Sequence, residues 1–442
     1  MRINRKNGWK KLDNAAKIFP ALVSQDDSEV FRISCQLYEE VEPNLLQKAL
    51  DSAIEEFPSF TETVSRGMFW YYLEDSGKMP VVHEETDTPL QPLYTKNTHG
   101  LLIDISYYKC RINFEVFHAI CDGTGAFMFF RTLVANYLCL RHGLPILKMD
   151  LGIDLTRREM EADSFSQYYE KDKGKGNGLG LNEFLGKNTK KRIYRFNEPK
   201  TPDFRQLVTE GEVSVACIKK AAHAYHTTIT VFLTAVLIAS IYSTMEPRDR
   251  NKTVSIAIPV NLRNYFESNT TRNFFGMVHV LYDFGKYGAE FDDIIAKVTD
   301  SLKKELTKEN LENKIAAQVR LEKNLGIRMV PLFIKDFAMA ISQRVAMKRR
   351  TICLSNVGKI EMPAELADYV NKFDVFNSSA QRQVCMCSFR DKMVITFSGV
   401  LAEHDVERAF FRMIAKCAAE TGGENDGVTI STNYSAKEFN AK

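Results

Sequence analysis

"FEVFHAICDGTGAF", Phe114–Phe127, decides the fold of this chain. It opens as an alternating strand and closes in a polar turn. If the strand runs to His118, then Ile112, Phe114, Val116 and His118 share one face, and Arg111, Asn113 and Glu115 share the other. His118 thus points the way its apolar neighbours point, toward an interior or a cleft. Asp122 and Gly123 make the turn, and a helix starts at about Thr124. An imidazole at the mouth of a buried cleft titrates near neutrality and is able to accept a proton. The same spacing also fits a satisfied core histidine. A metal pair of His118 and Asp122 lacks a third ligand at recognisable spacing, so no metal is expected.

The surrounding chain reads as a mixed α/β protein. "VFRISCQLYEEV" alternates as a strand, and "VEPNLLQKALDSAIEEFP" is an amphipathic helix with Pro43 in its first turn and Pro58 as its stop. "MFWYYLED" and "LLIDISYYKCRINFEVFH" predict further strands. Gly143 and Pro145 end the helix that follows the turn. From Arg157 to Pro202 the composition shifts to Lys and Gly, as in an exposed crossover. Its glycines form no GxGxxG after a strand, which excludes a dinucleotide fingerprint.

The second half repeats the mix. "EVSVACIKKAAHAYH" predicts a helix, with His223 and His226 at its exposed end, and "TITVFLTAVLIASIYSTM" a buried one. "KTVSIAIPVNLR", "NFFGMVHVLYDF", "RTICLSNVGKI" and "QVCMCSFRDKMVITFSG" predict strands. Phe291 to Ala317 predicts one long charged helix, and "DVERAFFRMIAKCAAE" the last. The expected organisation is an N-terminal subdomain at 1–156, a crossover at 157–202 and a C-terminal subdomain at 203–442.

Composition narrows the function classes. The 442 residues are 45% hydrophobic and 26% charged, a globular balance. A net charge of +3, from 59 basic and 56 acidic residues, gives no case for a nucleic-acid partner. The nine cysteines contain no CxxC pair, which suits reduced thiols in the cytoplasm. No apolar run follows the basic start "MRINRKNGWKKLDN", so no signal peptide is expected. The longest apolar run, Ile229 to Tyr242, is shorter than the ~20 residues of a membrane span.

His118-Ala-Ile-Cys-Asp122-Gly123 matches HxxxDG, the motif of the chloramphenicol acetyltransferase-like acyltransferases. Its place after a strand and before a helix, a quarter of the way along, fits as well. "SIAIPVNLRNYF" resembles their PVNLR strand end, "TRNFFGMVHV" their NFxG segment and "LSNVGKIEMP" their SNxG crossing element. "GWKKLDNAAKIFP" is similar to the start of bacterial alcohol acetyltransferase-like members.

The resemblance implies two acyltransferase subdomains, each a mixed sheet with flanking helices, and a tunnel between them. It implies an acyl group moved from a CoA thioester to an alcohol or amine, with His118 as general base and no permanently bound cofactor. Asp122 then braces the loop by pairing with an arginine. Arg263, in the PVNLR match, is the first candidate and Arg66 the second. Gly123 would permit a tight turn that keeps the histidine's surroundings open. Oxyanion donors would come from Asn273, Asn356, Ser355 or Thr124. Each also fits a plain turn or cap.

Departures from the family pattern matter too. Condensation domains carry HHxxxDG, and Phe117 fills the first position here. Their serine two positions after the glycine is Gly125, and the plant DFGWG is absent. "DFGKYG" at Asp283 lies too early and reads as a turn. The alternatives are an enzyme that takes its acyl group from a carrier protein and a non-catalytic relative. The basic "KKRIYRF", Lys190–Phe196, would be either a contact for CoA phosphates or a solvated linker. A chain holding both halves should form its site as a monomer.

Overall fold

The structure is a computed structural model that describes residues 8–96, 99–145, 156–171, 192–420 and 429–432. Two mixed sheets organise it. The five-stranded sheet runs in the order 370–377, 30–37, 111–117, 103–108, 83–84; its last pair is parallel and the others antiparallel. The seven-stranded sheet runs 275–283, 253–261, 352–360, 382–389, 392–399, 207–214, 429–432. Strand 352–360 is parallel to both of its neighbours. A third, small sheet joins 10–11, 71–75 and 62–66.

Helix Pro43–Glu56 buries Leu46, Ala49, Leu50, Ala53 and Ile54 at helical spacing. It packs on helix Gly123–His142, which is apolar nearly all round and lies in the first core. Gly143, at φ 64, ends that helix in the left-handed region, where glycine carries no Cβ penalty. Helix Ile229–Thr244, capped by Thr228, is the buried centre of the second core. Among the described residues no single helix is long and apolar enough to cross a membrane.

Three elements depart from the sequence reading. "EVS" ends strand Leu207–Ser214; the helix begins only at Val215, because Ser214 Oγ accepts the Cys217 N–H. The charged helix is two, Phe291–Glu305 and Lys308–Lys323, since Thr307 caps a new start. In "MFWYYLED" only Tyr71–Asp75 is strand; the Gly67 N–H closes a turn on the Trp70 carbonyl. Positions 172–191 of the expected crossover lie outside the described residues.

One strand crosses the expected division by sequence position. Strand Val370–Asn377 comes from the 203–442 part but pairs with Val30–Leu37 in the first sheet. Its polar groups also reach the larger sheet. Ser398 Oγ donates to the Asn377 carbonyl at 2.7 Å, and Lys372 bonds Glu210 and Glu212. One strand thereby ties the two layers together.

Candidate active site

The motif strand, Arg111–Phe117, is buried along its whole length. Its second face is not solvated: Arg32, Glu85, Arg111 and Glu115 form a buried ion cluster there. His118 follows the strand, and its N–H donates to the Glu29 carbonyl at 2.9 Å. The imidazole stacks on Phe19 at 4.4 Å between centroids and 15° between planes. Phe31 and Phe275 close two more sides at 4.9 and 5.8 Å.

Asn273 sets the ring's chemistry. Its Nδ2 donates to the His118 carbonyl at 3.0 Å and lies 3.5 Å from an Asp13 carboxylate oxygen. Both neighbours accept, so the amide nitrogen points at them and Oδ1 points at His118 Nδ1, 3.2 Å away. Nδ1 must therefore carry the proton, and Nε2 keeps the lone pair. Burial pushes the imidazole's pKa below its ordinary value, against a hydrogen bond to its own carbonyl and the nearby Asp122 charge. The neutral, proton-accepting form is favoured.

Asp122 caps helix Gly123–His142 and ties it to the second lobe. Its Oδ1 accepts the Gly125 N–H at 3.0 Å. Its Oδ2 accepts the Phe274 N–H at 2.8 Å and Arg263 Nη1 at 2.7 Å. Arg263 also donates to the carbonyls of Thr270 and Arg272 and to Asn261 Oδ1. Arg66 is not a partner: it pairs with Asp336, which Tyr71 Oη also bonds.

The two glycines exchange roles. Gly123 opens the helix outside the left-handed region, and a Cβ there would make an ordinary 3.9 Å contact with Val357. No tight turn requires it, although it does line the open side of the site. At Gly125 a Cβ would lie 1.8 Å from the Thr271 carbonyl oxygen. Close backbone approach of the two lobes is what demands glycine, and it falls where condensation domains carry serine.

His118 opens on a cavity of about 820 Å³ between the sheets, lined also by Gly123, Thr124, Ser355 and Asn356. Of the four oxyanion candidates, Asn273 is committed to the histidine. Asn356 donates to Thr230 Oγ1 and accepts the Gly358 N–H, which braces the bulge in strand 352–360. Thr124 accepts from Asn261, which leaves its own O–H to donate, and Ser355 brings a second hydroxyl. Arg195, Lys200, Arg344 and Arg350 bring positive charge to the same cavity; Lys200 is tied to Asp26.

Sequence reading missed Asp13, Phe19 and Glu29. Asp13 accepts the Ala16 N–H at 2.7 Å and so anchors the segment that carries Phe19 to the histidine. Burial pushes its pKa up to about 7. Glu29 faces the cavity from a backbone at φ 55, and burial, with Asp27 beside it, raises its pKa well above the usual range. Asp13 and Phe19 sit in "GWKKLDNAAKIFP", which the resemblance had singled out; nothing local marks Glu29.

The alcohol acetyltransferase family model matches residues 194–389. Among solved structures, polyketide synthase associated protein 5 of Mycobacterium tuberculosis aligns at TM-score 0.58 and 14% identity, covering 93% of this chain and 99% of its own. The trichothecene 15-O-acetyltransferase of Fusarium sporotrichioides aligns at 0.59 and 12%, covering 93% and 94%. The starter condensation domain of rhizomide synthetase, in complex with C8-CoA, aligns at 0.61 and 12%, covering 96% and 98%. The chain has the fold of the chloramphenicol acetyltransferase-like acyltransferases. No curated protein sequence matches it.

Within that fold, the two lobes meet at His118 and Asp122, through Asn273 and Arg263. Among the described residues no group of three or more His, Cys, Asp or Glu is placed to hold a metal.

Proposed function

We propose that the protein transfers an acyl group from a CoA thioester to an alcohol or amine. One observation carries this reading: Asn273 fixes the tautomer of a neutral histidine that opens on an 820 Å³ cavity between two lobes. His118 Nε2 takes the proton of the acceptor hydroxyl or amine as that atom attacks the thioester carbonyl. The C–S bond then breaks, and the imidazolium returns its proton to the departing thiolate. The products are an ester or amide and a free thiol. Thr124 and Ser355 hydroxyls serve the transient oxyanion. Arg195, Arg344 and Arg350 meet the CoA phosphates. Holding donor, acceptor and base in line supplies much of the rate.

The proposed working unit is a monomer divided at the 157–202 crossover, with strand 370–377 lent to the first lobe. All nine cysteines are free, which suits the cytoplasm.

The test is thiol release from acetyl-CoA and octanoyl-CoA over a panel of alcohols and amines, with His118→Ala as control. Release that requires His118 supports the reading. Turnover only from a pantetheinyl carrier protein would move the donor to that class. No turnover from either donor would favour a non-catalytic relative.

A further inference from the structure

Helix Leu332–Met347 faces two ways. Ala340, Gln343 and Met347 line the cavity on one side. On the other, Phe333, Phe337, Ile341 and Val345 recur every fourth residue at 64%, 69%, 45% and 39% exposure, with Ile334 at 46% beside them. The short helix Leu325–Met329 extends the stripe with Leu325 and Met329 at 76% and 74%. Met68, at 76%, joins it, because its carbonyl accepts the Leu332 N–H. Scattered exposed apolar residues are ordinary, but a contiguous row of this size marks a surface that is covered.

Charge says what covers it. Between 323 and 350 the sequence holds seven basic residues and one acidic, Asp336. Asp336 is buried and paired with Arg66, so the outward charge is basic. Lys323, Arg328 and Lys348 are exposed. Lys335 is held back over the Trp70 ring, 3.7 Å from its centroid. A row of bulky apolar side chains flanked by Lys and Arg is the pattern of a helix lying in the headgroup layer of an anionic bilayer. An acidic protein would satisfy the charges but leave two outward phenylalanines without a reason.

We infer that helices 325–329 and 332–347 dock this protein on an anionic phospholipid surface. The apolar row enters the headgroup boundary, and the basic residues meet lipid phosphates. The cavity then lies directly behind the membrane-facing helix. This inference does not depend on the acyl-transfer reading, and its test reads no activity.

The experiment is sedimentation of the full chain with vesicles of phosphatidylcholine alone or mixed with phosphatidylglycerol. The wild type should sediment with the anionic vesicles and much less with the neutral ones, and added salt should weaken binding. Phe333→Glu with Phe337→Glu should lower partitioning about 10-fold or more. Arg328→Glu with Lys348→Glu should lower it for anionic vesicles only. Unchanged circular dichroism shows that the variants are folded. Three results would overturn the inference: no binding of the wild type to anionic vesicles; equal binding by wild type and variants; or vesicle-independent capture of an acidic carrier protein or of a second copy that the same substitutions abolish.

Discussion

Asp122→Asn keeps the side chain's shape and removes its charge. Both carboxylate oxygens are in use, one on Gly125 N–H and the other on Phe274 N–H and Arg263. An amide has one acceptor oxygen, so whichever way it turns its NH2 meets a donor. Orphaning a buried N–H costs about 1–3 kcal/mol. Arg263 loses its counter-charge where both side chains are 8% exposed. Breaking a buried pair from one side costs about 3–5 kcal/mol. The Thr270 and Arg272 carbonyls still solvate the guanidinium, so the pair loss falls to about 2 kcal/mol, which with about 1 kcal/mol for the orphaned N–H gives about 3 kcal/mol in all. Unfolding entropy of about 2.1 cal/mol/K per residue over 442 residues makes each kcal/mol worth about 1 °C. Calorimetry should therefore show Tm lower by about 3 °C.

A double-mutant cycle with Arg263→Met isolates the brace. Removing both charges should cost at least about 1 kcal/mol less than the two single losses together. Additivity within about 0.5 kcal/mol, or an unchanged Tm for Asp122→Asn, would refute the assignment.

His118→Ala should cut kcat about 10²–10⁴-fold in a folded protein, and the acid limb of wild-type kcat/KM should fall below the ordinary histidine value of about 6.5, because burial favours the neutral base; an acid limb above that value would contradict the geometry. Asn273→Ala should lower kcat more than it raises KM and shift that limb, since the Nδ1 proton loses its side-chain acceptor and keeps only the histidine's own carbonyl; an unchanged pH profile would remove Asn273 from the site. Asp13 has a folded pKa raised to about 7, so its contribution to stability is most favourable below the unfolded carboxylate value and is lost as pH rises toward 7. Asp13→Asn removes that slope: the Tm of the variant minus that of the wild type should grow between about pH 4 and 7 and then level, and a constant difference would sink the idea. Gly125→Ala should destabilise by about 3 kcal/mol or prevent folding, while Gly123→Ala should change Tm little; equal effects would show that the lobe contact yields.

Much of the fold was legible because local rules agreed with the tertiary outcome. Pro43 starts its helix, Gly143 ends the next, and the alternation of 111–117 is real strand. Errors fell where one residue punctuates a continuous pattern. Ser214 and Thr307 cap new helices inside stretches that read as single elements. Strand 370–377 was invisible because its partner lies more than three hundred positions away. The helices beyond Leu325 were missed as well, for their apolar face points outward and mimics no core pattern.

For the site, the sequence by itself determined that His118 lies at the end of a buried strand, one residue beyond Phe117 where the strand stops, and that Asp122 caps the next helix. Both follow from spacings of a few residues, which backbone geometry converts directly into direction. Only the tertiary structure decided between Arg263 and Arg66, brought Asn273 against the His118 ring, and gave the glycine requirement to Gly125 instead of Gly123. Those choices depend on contacts between segments about 140 to 155 positions apart. No local periodicity encodes which side chain arrives at 2.7 Å when two lobes close on each other.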